Sequence, residues 1–375
     1  MIKKFKPIQK AYKFRIYPNQ EQQELIDKTI GCSRFIYNEF LAEAKENEYK
    51  SYTKNSRQLP QLKKENEWLK EVDSIALQQS LKDLDRAFKN FFSGQCKYPK
   101  FKSKKKSRQS YRTEKFRRSD GSTNIEIKDN YLKLPKLSWV KFAKSREVKG
   151  KINNVTVSKS RSGKYYISIN VKYVLKTVVN NNNELGELGL DLGIKDFLTT
   201  SSGEHISNPG HLKKYENKLA KLQKRLARKE KDSNNWNKLK QKIAKVHAKI
   251  KNLRKDFLHK LSTRLTKENQ LLILEDLNVK GMLKNSRLAK HISDCGWNMF
   301  TTMLEYKGRW YDCLVHKVDR FFASSQVCSK CGTKNPQVKD LSVREWVCIC
   351  GATHNRDINA SKNLLNQGKL ELNIN

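Results

Sequence analysis

The chain has 375 residues, length for about two or three domains with cores of their own. Its 78 Lys and Arg against 38 Asp and Glu leave a net charge of +40, spread along the whole sequence, which points to a polyanionic partner. The longest aliphatic run, Leu271–Leu274, is too short to cross a bilayer, and the basic start MIKKFKPIQK lacks an apolar signal core, so a membrane or secreted protein is not expected and the cytoplasm, with association to the nucleoid through DNA, is.

Residues 8–17 (IQKAYKFRIY) alternate and predict a strand closed by Pro18-Asn19. Residues 20–49 then carry helical spacing through Leu25, Ile26, Ile30, Phe35, Ile36 and Phe40. A second helical block, Ser74–Phe92, has a broad apolar stripe that an ordinary bundle core explains. Between 97 and 118, 11 of 22 residues are basic, with Tyr98, Phe101, Tyr111 and Phe116 interleaved. Lys and Arg neutralise phosphates and aromatics stack on unpaired bases, so this stretch reads as a loop that contacts nucleic acid. Tyr52, Gln78, Gln79, Lys97, Lys100, Lys102, Lys104, Lys105, Arg108 and Arg112 are the candidate contacts. The two glutamine amides could read adenines.

From 123 to 174 the pattern turns β, with a hairpin around Ser162-Gly163, and Asn180–Asn183 reads as a polar linker between domains. The stretch ELGLDLGIKDFLTTSSGE (187–204) reads as a hairpin with Asp191 mid-strand among apolar neighbours. An ionised carboxylate there is costly unless a cation, an Arg or an exposed edge compensates it. His211–Arg228 and a seam of Trp236, Leu239, Ile243, Val246, Ile250, Leu253 and Phe257 spaced 3-4-3-4-3-4 predict an antiparallel helical hairpin with a basic exterior. NQLLILEDL (269–277) predicts a strand buried on both faces, ending in Glu275-Asp276, of which alternation lets only one join a site with Asp191. Residues 297–313 return to helical spacing, and Leu314–Asp319 is a short strand.

Cys328-Ser-Lys-Cys331-Gly and, sixteen residues on, Cys348-Ile-Cys350-Gly are two knuckles of a closed, structural zinc ribbon. The second is C-x-C, which makes His354 an alternative fourth ligand. Cys32, Cys96, Cys295 and Cys313 are scattered and carry no inferred chemistry. Asp357 opens the last helix. Strand, hairpin, helix, strand, helix, strand, helix is an RNase H-like order, which can bring Asp191, Glu275 and Asp357 to one edge of a sheet. Three hard oxygen donors suit Mg²⁺ or Mn²⁺, and such ions can drive phosphodiester hydrolysis.

At these residues the chain resembles the TnpB/OrfB family of insertion-sequence proteins, itself similar to the RuvC-like half of type V CRISPR effectors. The resemblance runs nearly end to end: AYKFRIYPNQEQ (11–22), ALQQSLKDLDRAFKNFF (76–92), KYPKFKSKKKSRQSYR (97–112), GLDLGIKDF (189–197), DFLHKLSTRL (256–265), LEDLNVKGMLKN (274–285), KVDRFFASSQVCSKCG (317–332) and NRDINASKN (355–363). It implies a multi-domain α/β protein with a RuvC-like nuclease domain at 184–323 and 353–368 (helical hairpin 211–265), and an inserted zinc ribbon at 324–352. It further implies a β-rich wedge module at 1–50 and 120–180, interrupted by a helical recognition module at 51–119. Residues 369–375 are expected to be a disordered tail. It implies an RNA-guided DNA endonuclease, a monomer with one guide RNA from its own element's end. Target DNA, double- and single-stranded, would be cut beside a short motif at Asp191, Glu275 and Asp357 with Mg²⁺ or Mn²⁺, and Zn²⁺ would sit on Cys328, Cys331, Cys348 and Cys350. The family usually reads D-R-D where this chain has Asn355-Arg356-Asp357. A DDE-type transposase carries Asp, Asp, Glu rather than Asp, Glu, Asp. A non-cleaving RNA-guided binder would usually have an eroded triad. A basic nucleic-acid-binding protein without catalysis leaves the triad unexplained.

Overall fold

The computed structural model describes residues 3–178, 185–340 and 342–374, so the expected linker Asn180–Asn183 lies outside the described residues. The chain divides into two compact units, Lys6–Leu175 and the remainder. Among the described residues no helix is long and apolar enough to cross a membrane.

In the N-terminal unit, β1 (Lys3–Tyr17) gives way to α1 (Gln20–Glu46) behind a reciprocal cap. The Asn19 side chain accepts from the Gln22 N–H, and the Gln22 side chain accepts from the Asn19 N–H. There follow α2 (Tyr52–Glu65), α3 (Ser74–Phe92), β2 (Ser110–Glu114), β3 (Glu126–Lys128), β4 (Tyr131–Leu134), β5 (Ser138–Phe142), β6 (Lys151–Lys159) and β7 (Tyr165–Val178). The seven strands form one sheet in the order β2-β6-β7-β1-β5-β4-β3. Alternation puts Tyr12, Phe14 and Ile16 inward against Val155, Val157, Ile167 and Ile169. The helices bury a second core of Ile36, Phe40, Leu77, Leu81, Leu84 and Phe88.

The basic stretch 97–118 is not loop throughout. Ser110–Glu114 is a strand whose Tyr111 pairs with Val157 and is buried. Its short alternation, with Tyr111 and Thr113 inward, is masked in the sequence by the surrounding lysines.

The second unit opens with β8 (Gly186–Asp191), β9 (Asp196–Thr200) and β10 (His205–Ser207). The Ser-Ser-Gly turn, with Gly203 at φ +92°, leads into β10, a third strand beyond the expected hairpin. Next come α4 (His211–Ala227), α5 (Asn234–Glu268), β11 (Asn269–Glu275), α6 (Val279–Met282), α7 (Ser286–Cys295), α8 (Trp297–Tyr311), β12 (Leu314–Val318), β13 (Glu345–Val347), β14 (Thr353–Asn355) and α9 (Arg356–Glu371). The main sheet runs β10-β9-β8-β11-β12, with β11 parallel to both its neighbours. On one face Leu190, Leu272 and Leu274 pack against Leu258, Leu261, Phe300 and Leu304 from α5 and α8. On the other, Leu271, Ile273 and Val318 pack against Leu364 of α9.

The heptad seam closes α4 on α5 through Leu219, Val246 and Ile250. Helix α5 then continues past the hairpin so that its last turns reach the sheet. The expected disordered tail at 369–375 begins inside α9 instead. Lys369 Nζ lies 3.1 Å from Glu187, and His316 Nε2 lies 2.6 Å from Glu371, so an ion pair and a hydrogen bond pin the helix end to β8 and β12.

Candidate functional site

Asp191 is the last residue of β8, and alternation sets Glu187, Gly189 and Asp191 on one face of that strand. That face lies under α9. Lys369 reaches Glu187, and a Cβ added at Gly189 would come within 1.8 Å of the Ser361 carbonyl oxygen. Contacts 187 to 369 and 189 to 361 run in opposite senses, so α9 lies antiparallel to β8 and its first turn, with Asp357, arrives at Asp191. On the neighbouring parallel strand Leu274 is the register partner of Leu190, so Glu275 follows at the level of Asp191. Asp276 turns away and is ion-paired with Arg320.

The electrostatics report the same convergence. The Asp191 carboxyl is pushed up to about 7, first by burial, then by the negative charges of Asp357 and Glu275; Arg356 and Arg344 pull it the other way. Burial, then Asp276, raises Glu275. The three acids do not meet at a point. Among the described residues, the cysteine group alone brings three or more such ligand atoms within 4.8 Å of one another. Asp357 instead faces Arg344, whose Nη1 lies 3.2 and 3.3 Å from its two oxygens. Were two divalent ions held here, the three carboxylates would not all need to reach one centre. A partly buried carboxyl, raised first by desolvation and then by two neighbouring carboxylates, is a donor set that a hard divalent cation fits.

The rest of NRDINASKN holds α9 in place. The Asn355 side chain accepts from the N–H groups of Asp357 and Ile358, capping the helix. Asn and Asp cap equally well, so Asn355 serves this helix start as an Asp would. Arg356, buried, donates to the Asp340 carbonyl at 2.6 Å. Asn359 accepts from Ser329 N–H at 2.9 Å and donates to Val327 O at 2.7 Å, while Asn363 donates to Ser324 O at 2.7 Å. Neither the asparagine roles nor Arg344 emerged from sequence reading. The four-residue spacing of Asn355, Asn359 and Asn363 was a usable signal for the former; nothing local marks Arg344.

In the ribbon, the Cys331 and Cys348 sulfurs lie 3.5 Å apart and those of Cys328 and Cys350 3.8 Å apart. A tetrahedron with zinc–sulfur arms of about 2.3 Å has edges of roughly 3.8 Å, so the four cysteines fit one zinc ion. Gly332 and Gly351, at φ +76° and +78°, make the knuckle turns that a side chain would strain. His354 Nε2 is 3.0 Å from Cys328 Sγ, beside the four sulfurs rather than among them.

Of the candidate nucleic-acid contacts, Gln78, Lys97, Lys100, Lys104, Lys105 and Arg108 are exposed. Gln79 corrects the expectation: it is buried, and its Oε1 accepts from Arg112 Nε at 3.0 Å. Arg112 is also paired with Asp83 at 2.7 Å. Lys102 is partly buried, its Nζ 3.6 Å over the Tyr37 ring, and burial lowers its pKa. Tyr52 is half-buried under Lys82 Nζ, 5.7 Å away. A cavity of about 150 Å³ lies among Arg34, Asp83, Lys102, Arg108 and Arg112.

A protein of Streptomyces pristinaespiralis is 40% identical over 370 residues, covering 96% of this chain and 90% of its own length. InsQ of Escherichia coli K12 is 36% identical over 381 residues, covering 96% and 92%. The chain belongs to the TnpB/OrfB family. Both relatives carry the name "Putative RNA-guided DNA endonuclease". Family profiles divide the chain accordingly. The OrfB_IS605 profile, described as "Probable transposase", matches residues 168–286, and the Cas12f1-like TNB domain matches 297–364. An OrfB_IS605 helix-turn-helix domain matches 7–54, which here is β1, the long α1 and the start of α2. A cryo-EM Cas12f1–sgRNA–target DNA complex covers 96% of this TnpB/OrfB chain and 99% of its own at 17% identity, with a TM-score of 0.37.

Proposed function

We propose that this protein is an RNA-guided DNA endonuclease with an RNase H-like, RuvC-type site. Asp191, Glu275 and Asp357 are its metal ligands for Mg²⁺ or Mn²⁺, and Cys328, Cys331, Cys348 and Cys350 hold a structural Zn²⁺. One observation supports the reading most: Asp191 on a first strand lies near enough to Glu275 on a central strand and Asp357 on the last helix that its burial, and then their two negative charges, push its carboxyl up to about 7. The strand order β10-β9-β8-β11-β12 supports the RNase H-like assignment. The full-length likeness to relatives named as RNA-guided DNA endonucleases supports the activity.

Asp191, Glu275 and Asp357 would hold divalent ions, which when bound would supply an activated water and offset the charge developing on the leaving 3′ oxygen. The chain's own residues prepare that site. Asp191 must shed its proton to serve as a ligand, so ligation strengthens as pH rises through about 7. Asn355 and Arg356 fix the start of α9 and so the position of Asp357. The excess of +40 matches a body that holds an RNA–DNA hybrid, with recognition delegated to base pairing. We read the seven-stranded sheet with α1 as the wedge, to which β2 (Ser110–Glu114) adds a strand from within the expected recognition span, α2 and α3 as the recognition helices, and the partner as one guide RNA from the element's end.

The acid order Asp, Glu, Asp disfavours a DDE-type transposase, and the intact triad disfavours a non-cleaving binder. The test is to purify the full chain with its RNA, sequence that RNA, and offer DNA matching its guide portion with Mg²⁺. Cleavage by the wild type, none by Asp191→Ala, and equal RNA content in both is the expected result. Cleavage that ignores the guide, or Asp191→Ala preparations devoid of RNA, would overturn it.

A further inference from the structure

Phe321 and Phe322 follow β12 as neighbours with opposite fates. Phe322 packs beside Leu271, Ile273, Val318 and Leu364 under α9. Phe321 is 87% exposed. Its backbone is braced in that position. The Phe321 N–H donates to Asp319 Oδ1 at 2.8 Å, and the Phe322 N–H donates to the Asp319 carbonyl at 3.1 Å. Arg320, between them, is ion-paired with Asp276. Val318, three residues before Phe321, is the register partner of Glu275. A large ring is therefore held out in water on a fixed turn, one strand away from a carboxylate of the proposed site.

Burial does not account for the place of this ring, which keeps almost all of its apolar surface in water. A rigid, exposed aromatic face is what an unpaired base stacks on, and such stacking tolerates any base because every base has a π face. The occupant is argued by place and by charge: the turn abuts Asp276 and Glu275, and a chain of +40 attracts a nucleic-acid strand.

We propose that Phe321 is a stacking platform for an unpaired base of the DNA strand entering the carboxylate site. It acts as a positioning residue, and the proposal rests on the nuclease reading above. It takes no part in metal ligation; it sets the register of the strand against Glu275.

The test uses the full chain with its copurified RNA. Phe321→Ala should cut guide-matched DNA about tenfold more slowly, the scale of one lost base stack, with unchanged melting temperature and RNA content. Phe321→Trp should restore the rate, and Phe321→Leu, apolar but not aromatic, should not. A single strand carrying 5-iodouracil should photocross-link the wild type within the peptide containing Phe321. Wild-type rates in Phe321→Ala, rescue by Leu, or a cross-link map without that peptide would each overturn the platform. A wild type that cuts no better than Asp191→Ala would instead bring down the nuclease reading, and the cross-link alone would then decide the platform.

Discussion

Gly189→Ala tests whether α9 must press directly on β8 for the acids to meet. Gly189 has ordinary strand geometry, so the objection to a side chain is space alone. The added Cβ would lie 1.8 Å from the Ser361 carbonyl oxygen and 2.9 Å from the Leu365 nitrogen, both backbone atoms of α9. Ordinary contact begins near 3.4 Å, so the helix and strand must part by about 1.6 Å. Overpacking of this kind costs about 1–3 kcal/mol, which at roughly 2–4 °C per kcal/mol lowers the melting temperature by several degrees. The functional loss should be larger, because Asp357 rides on the displaced helix and a misplacement of about 1 Å can cost roughly a hundredfold in rate. Two controls bracket the effect. At Gly368 the same addition meets Cδ1 and Cγ2 of the buried Ile273 side chain at 2.3 and 2.5 Å, so Gly368→Ala should also destabilise, but at a point on α9 far along the helix from Asp357. At Gly31 nothing lies within 4 Å, so Gly31→Ala inside α1 should be neutral or stabilise by about 1 kcal/mol. The assay is thermal unfolding together with cleavage of guide-matched DNA across a Mg²⁺ titration. Gly189→Ala that melts and cuts like the wild type would refute the claim that this contact sets Asp357.

Metal binding should be strongly pH-dependent. Asp191 ionises near 7 in the fold against an ordinary value of about 3.9, so its ionisation costs the metal-free fold stability as pH rises between those values. A cation binding the ionised form restores it. Mn²⁺ should therefore raise the melting temperature clearly at pH 8 and hardly at pH 5.5, with no shift in Asp191→Asn; equal shifts at both pH values would contradict the assignment. Elemental analysis should find about one zinc per chain. His354→Ala should retain that zinc and Cys350→Ser should lose it, whereas the reverse pattern would make the histidine the fourth ligand. Gln79→Ala should lower stability by about 1–3 kcal/mol by freeing the partly buried Arg112, while Gln78→Ala should leave unfolding unchanged; matching curves for the two variants would show that the buried amide does not hold Arg112.

Much of this was legible locally. The run Leu271–Leu274 implied a strand covered on both sides, and it lies between β8 and β12. The heptad from Trp236 and the paired knuckles declare their partners by spacing, because coiled-coil seams and tetrahedral thiolates each demand one. Gln78 and Gln79 looked alike in sequence and are not alike in the fold, since which one faces inward depends on β2, over thirty residues on. Tyr111 was hidden in the same way: strand alternation is visible only once β6 supplies the other half of the ladder.

By itself the sequence determined the chemistry on offer, namely three carboxylates, four clustered thiols and a surplus of positive charge, because hardness, softness and charge belong to the side chains. Only the tertiary structure decided that Asp191 and Glu275 end adjacent parallel strands, that α9 runs back over them to deliver Asp357, and that Arg344 reaches that carboxylate. Proximity between groups 84 and 82 residues apart arises from strand register and helix packing, which no stretch of chain encodes alone.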